Sequence, residues 1–173
     1  MKTINQGRTT FLLNHKRGAS LFWLLLPLAC NAGDFGLNVY GASYHFERGR
    51  AKQLGLDNEI NPGLGLRYRE RIDERFDWFA DAGFYRDSGR NTALVAGPGV
   101  LWKATQGLRL GGAAAFFHSK SYNGGRAFVA PVPVAAYEWK AVTLNVTYFP
   151  RISSFNEINT LGFWLTFPLG SRQ

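Results

Sequence analysis

Cysteine is nearly absent from this chain: Cys30 stands alone among 173 residues, which excludes a disulfide framework. Long apolar runs are missing as well. Beyond residue 32 no stretch approaches the ~20 residues that a spanning helix needs, and the longest candidate, AFVAPVPVAAY, is broken by Pro131 and Pro133. A helical membrane protein is therefore excluded. Acidic residues are absent from the first 32 positions, which carry Lys2, Arg8, Lys16 and Arg17 and then the run LFWLLLPLAC. That layout predicts a secretory signal over residues 1–32 and one folded domain over 33–173. Cys30 and Ala32 suit a signal-peptidase site; the rival, a lipidated Cys30, would require an aliphatic residue where Pro27 stands. Removing the signal's four cations leaves 16 basic against 12 acidic residues, scattered rather than clustered. Such a balance fits an anionic lipid surface and not a nucleic acid.

What the chain has instead is alternation, with 46% hydrophobic residues, 15% aromatics and 20 glycines to supply it. Segments of about ten residues with period two, bounded by Gly, Asn, Asp or Ser, recur near 35–46, 62–72, 76–87, 92–103, 107–118, 126–139, 141–149 and 158–168. Eight strands suffice to close a barrel whose interior side chains fill. In LGLRYRERI, Leu64, Leu66, Tyr68 and Ile72 share one parity, and Gly65, Arg67, Arg69 and Arg71 the other. The next segment sets Phe76, Trp78, Ala80, Ala82 and Phe84 against Asp77 and Asp81, and the seventh sets Val142, Leu144, Val146 and Tyr148 against Thr143, Asn145 and Thr147. The apolar parity predicts a lipid-facing exterior and the polar one a lumen. A three-residue turn at 73–75 would also set Arg67 opposite Asp81 and Arg71 opposite Asp77, as two internal ion pairs.

Short turns near 73–75, 104–106 and 140 alternate with longer links near 47–61, 88–91, 119–125 and 150–157. Short periplasmic turns and long external loops fix the direction of an outer-membrane barrel. His45, at the end of the first strand, and Asp87-Ser88, at the end of the third, then share the outer rim. A histidine, a carboxylate and a hydroxyl are the groups that activate an oxygen nucleophile for acyl transfer. Arg86 and Arg90 flank them, and guanidinium groups bind phosphate through a two-pronged fork.

From Tyr40 to Phe167 the chain resembles the PagP family, the outer-membrane lipid A palmitoyltransferases. The resemblance is carried in family order by SYHF, YRDSGRN, APVPVAAYEWKAVTLNVTYFP and FWLTF. It implies that His45, Asp87 and Ser88 are catalytic and that a palmitoyl chain moves from the sn-1 position of a phospholipid to lipid A. The implied partners are those two lipids and the bacterial outer membrane. A monomer without cofactor or metal is expected. Small residues at Val95, Gly97, Gly99, Gly111, Ala113 and Ala115 would leave an apolar interior, and the resemblance places Gly99 at the floor of an acyl pocket. Pro131 and Pro133 would unzip one strand and admit a lipid tail from the side. The family's amphipathic N-terminal helix has no counterpart between the signal and the first strand.

Three rivals make different demands. A lipid A deacylase on a similar barrel would use His118 and Ser119. A non-catalytic barrel would leave His45, Asp87 and Ser88 replaceable. A soluble ligand-binding barrel would turn Trp78 and Phe84 inward and Arg67 and Asp81 outward.

Overall fold

The computed structural model describes residues 33–152 and 155–170. The segment 1–32, with the signal reading and Cys30, lies outside them. Eight antiparallel strands close a barrel in chain order: β1 (Asp34–His45), β2 (Ile60–Arg71), β3 (Phe76–Arg86), β4 (Thr92–Lys103), β5 (Leu108–His118), β6 (Phe128–Glu138), β7 (Thr143–Phe149) and β8 (Thr160–Pro168). β1 closes on β8 through pairs from Gly36↔Pro168 to His45↔Thr160. One short helix, α1 (Arg48–Gln53), lies in the link between β1 and β2.

Parity runs as the sequence predicts. Leu64, Leu66, Ile72, Phe76 and Phe84 are exposed on the outside, whereas Arg67, Asp77, Asn145 and Thr147 are buried within. This arrangement removes the soluble-barrel reading. Aromatic rings collect at both ends of the apolar band: Tyr137 against Trp139 at one, Tyr44 against Phe46 and Phe46 against Tyr148 at the other. Such girdles mark the two membrane interfaces.

The turn after β2 forms because Asp73 accepts two backbone N–H bonds through Oδ1, from Arg75 and Phe76, each at 2.7 Å. Ile72 then faces Phe76, and the register sets Arg67 opposite Asp81 and Arg71 opposite Asp77. Only the first of these is an ion pair. Arg67 clamps Asp81 through Nε (2.8 Å) and Nη2 (2.6 Å). Arg71 is exposed at the barrel's end, and Asp77 is held instead by Arg109 at 2.5 Å, with Lys103 at 3.8 Å. The expected Arg71–Asp77 pair fails because Arg71 has water to point into, while Arg109 reaches across from β5 within the lumen.

The periplasmic half of the interior is thus filled by polar contacts. Arg67 Nη1 donates to Asn145, Asn145 Nδ2 to Thr166, Thr166 to Asn38, and Asn38 back to Asp81. Arg109 joins Asp77 to Glu138, which also accepts from Arg69. Every charge there has a partner of opposite sign, the condition under which buried charge is tolerated.

Candidate functional site at the outer rim

The links at 46–59, 87–91 and 119–127, with the described residues 150–152 and 155–159 of the last one, lie at the outer mouth. His45, the last residue of β1, is 2% exposed. Its Nε2 lies 2.9 Å from Ser88 Oγ, a hydrogen bond between residues 43 positions apart. β1 and β3 never pair directly, so closure of the barrel and the folding of two links create this contact.

Ser88 is aimed by a tight turn. Asp87 N–H donates to Asn91 O, Asn91 N–H returns to Asp87 Oδ1 at 2.8 Å, and Arg90 N–H closes on Asp87 O. Arg90 takes a left-handed backbone, φ 64°. Gly89 leaves room for Ser121, whose Oγ would lie 2.2 Å from a Cβ there and would have to turn away from Asn91 to admit one. From the first link, Asn58 N–H donates to Ser88 O and Asn58 Nδ2 to Asp87 O.

Asp87 itself does not touch the imidazole. It is fully buried, and its carboxylate accepts from Ser119 Oγ as well as from Asn91. Of the three residues the resemblance implies to be catalytic, Asp87 alone makes no contact with the other two side chains: it ties the turn bearing Ser88 to the link after β5. The carboxylate beside the imidazole belongs to Glu59, which sequence reasoning missed. Glu59 Oε1 accepts the His45 backbone N–H at 3.0 Å and lies 3.6 Å from Nδ1. Arg48 grips the same carboxylate through Nε and Nη2. Partial burial pushes the Glu59 carboxyl up, but the His45 N–H and the Arg48 guanidinium together outweigh it, and the group stands below its ordinary value. Only its place immediately before β2, in a link anchored to β1 by Ser43 N–H to Glu59 O, could have signalled this residue.

Arg86 sits at the outer end of β3 on the outward parity, exposed and without a carboxylate partner among the described residues. Arg90 is half-exposed and committed to Asp57 at 2.9 Å. His118 and Ser119 do not converge: His118 is exposed, while Ser119 is buried and bonded to Asp87. The deacylase arrangement is absent there.

Below His45 and Ser88 a cavity of about 410 Å³ enters the barrel, within the range of small-ligand sites. Its walls include Val95, Gly97, Ala113, Ala115, Val132 and Val134. Phe79 and Trp164 stand at its depth, above the polar network, with the Arg67 guanidinium 4.4 Å from the Phe79 ring. Phe79 lies nine residues before Ser88, which at about 3.3 Å per residue and a tilt near 40° is a depth of roughly 20 Å. Gly99 faces inward but does not line this cavity. It lies against Phe79, where a Cβ would come within 2.4 Å of the ring. The floor is therefore the phenyl ring, and Gly99 is the space that lets the ring lie flat.

Pro131 and Pro133 pair with Ala114 and Gly112 of β5. Towards β7, pairing runs only from Val134↔Thr147 to Glu138↔Thr143, so β6 parts from β7 over its outer half. Pro133 O accepts from Thr147 Oγ1, which places that residue's backbone polar edge, and that of Pro131 two positions before it, toward β7. Neither has an N–H to leave unsatisfied. That is the condition for an opening in a sheet surrounded by lipid.

A closed barrel with an apolar exterior, aromatic girdles and a polar interior is a transmembrane β-barrel of the bacterial outer membrane. Solved structures agree on the architecture. The chain is similar to the de novo designed barrel TMB2.3 (19% identity, TM-score 0.52, covering 82% of this chain and 99% of that one). It is similar to a second structure from the de novo design of transmembrane β-barrels (14%, 0.51, 79% and 96%) and to the Yersinia pestis outer membrane protein Ail in a phospholipid bilayer nanodisc (11%, 0.50, 79% and 99%). At these identities the likeness carries the fold alone. No family model and no curated protein matches the chain, so the PagP resemblance rests on its sequence motifs.

Proposed function

We propose that this protein is an acyltransferase that moves a palmitoyl chain from the sn-1 position of a phospholipid to lipid A in the outer leaflet. One observation carries the reading: a histidine–serine hydrogen bond of 2.9 Å at the mouth of a deep apolar cavity. The acyl chain occupies the cavity with its ester at the rim. His45 Nε2 takes the proton of a hydroxyl, either of Ser88 or of an acceptor held by Ser88, and that oxygen attacks the ester carbonyl. The old C–O bond breaks, the proton passes to the leaving oxygen, and a lysophospholipid departs; where Ser88 is the attacking group, a lipid A hydroxyl then attacks the acyl-serine ester, His45 takes its proton and returns it to the departing Ser88 Oγ. Asp87 acts from behind, by holding the turn that aims Ser88. The seam at Pro131 and Pro133 supports entry of the chain from the outer leaflet, and Arg86, without a carboxylate partner among the described residues, supplies a cation at headgroup height.

The test is expression in a bacterium that lacks such an enzyme, followed by mass spectrometry of its lipid A. A new species heavier by one palmitoyl group is the expected result. Unmodified lipid A, with the barrel folded in the outer membrane, would leave the non-catalytic barrel as the better reading.

A further inference from the structure

The His45–Ser88 bond leaves one question of proton position. For Nε2 to accept a hydroxyl proton, the imidazole must carry its own proton on Nδ1. Nδ1 is buried and has no hydrogen-bond partner, and an N–H in that position needs an acceptor. The Glu59 carboxylate is 3.6 Å away, so a side-chain shift of well under 1 Å brings it to hydrogen-bonding distance. We propose that Glu59 is the positioning residue of this site, holding His45 in the Nδ1–H tautomer so that Nε2 is free to accept. The inference rests on the acyl-transfer reading and adds to it a residue outside the sequence motifs.

The surroundings are built for that role. Glu59 is pinned to β1 by its own carbonyl through Ser43 N–H, and its carboxylate by the His45 N–H. Arg48 fixes the far side of the carboxylate and lies over the Tyr44 ring at 4.9 Å. Three charged groups act electrostatically on the imidazole: Glu59 and Asp57 from the first link, and Arg48 from α1. Asp57 is engaged by Arg90, and the Asp87 carboxylate is turned to Ser119 and Asn91. Glu59 is thus the one carboxylate among the described residues aimed at Nδ1. When His45 gains a second proton, the same carboxylate balances the new charge. The Nδ1 proton stays in place and no covalent bond to Glu59 is made or broken.

Two readouts on one protein test this. In full-length chain with His15→Ala and His118→Ala, folded in detergent micelles, nitrogen NMR of the remaining imidazole is expected to show Nδ1–H; Glu59→Gln is expected to shift the population toward Nε2–H. In mass-resolved acyl transfer, Glu59→Gln is expected to lower kcat by about 100-fold with KM within about twofold, and Glu59→Asp to recover about tenfold of it. The acid limb of the pH–rate profile moves to lower pH in Glu59→Gln, because the imidazolium loses its counter-charge. An Nε2–H tautomer in the parent protein, a tautomer indifferent to Glu59→Gln, or unchanged kcat in that variant overturns the inference. A parent protein that shows Nδ1–H but transfers no acyl group overturns the proposed function and leaves the positioning of His45 by Glu59 standing on the spectrum.

Discussion

The interior of this barrel is two different materials stacked on one axis. The periplasmic half is closed by paired charges, from Arg67–Asp81 and the Asn145–Thr166–Asn38 chain to Arg109 between Asp77 and Glu138. The outer half is apolar, hollow and topped by His45 and Ser88. Alternation on the same strands produces both: Asp77, Phe79, Asp81 and Tyr85 all point inward from β3. The lesson is that inward parity alone does not decide what an interior does. Residue size and charge, position by position, separate a load-carrying network from a receptacle.

If the outer half is a receptacle, its polar groups are dispensable for folding. His45→Ala and Ser88→Ala should each reduce acyl transfer by at least about 100-fold while the heat-dependent gel mobility of the folded barrel is unchanged. Unfolding of either variant would make the rim part of the fold's support and erase the contrast.

The reverse holds below. Asp81→Ala leaves the Arg67 guanidinium buried without its carboxylate, at a cost of about 3 kcal/mol, read as a lower urea midpoint in lipid vesicles. Equal stability would show that water enters and screens this network.

The boundary between the halves can be moved. Gly99→Ala sets a Cβ against the Phe79 ring and the Gly112 carbonyl oxygen, so the ring and the β4–β5 wall must give, and the transferred chains should shift to shorter lengths. Phe79→Ala should lengthen them, with transfer retained in both variants. Unchanged product lengths by mass spectrometry would put the floor elsewhere.

The smallest effect concerns pH. The folded-state value of Glu59 lies below its ordinary 4.5, so its ionised form stabilises the folded barrel above that pH. This contribution is lost as pH falls through the folded value. Between pH 6 and pH 3 the parent protein should therefore lose about 2 °C more in Tm than Glu59→Gln, the carboxylate being partly exposed. An equal loss in both would show that the carboxylate gains nothing from the fold.

The barrel was legible because lipid outside and a filled lumen inside impose a period of two, which β2, β3 and β7 obey through their middles and lose only near their ends, at Glu70 and Arg86. The His45–Ser88 meeting followed from strand direction and loop length. Two features escaped. Asp87 and Ser88 are adjacent, yet the tight turn sends one side chain inward to Ser119 and the other to the imidazole, a divergence that no periodicity encodes. Glu59 lies in a link whose path depends on α1 and on bonds from Arg48 and Ser43. Arg71 shows a third limit, since register fixes which residues are opposite but not which of them bond at a wet end.

The seam between β6 and β7 has a consequence for sidedness. It runs only beside Phe128–Pro133, in the half of the wall nearest the long loops, while Val134–Glu138 is laced to β7 below it. A lipid tail entering by this seam would come from the leaflet at the cell's outer surface, because the paired half of the wall and the charged network lie on the other side. Under the proposed acyl transfer the two prolines would act as an address: of the two lipid populations that bathe the barrel, its interior would sample one.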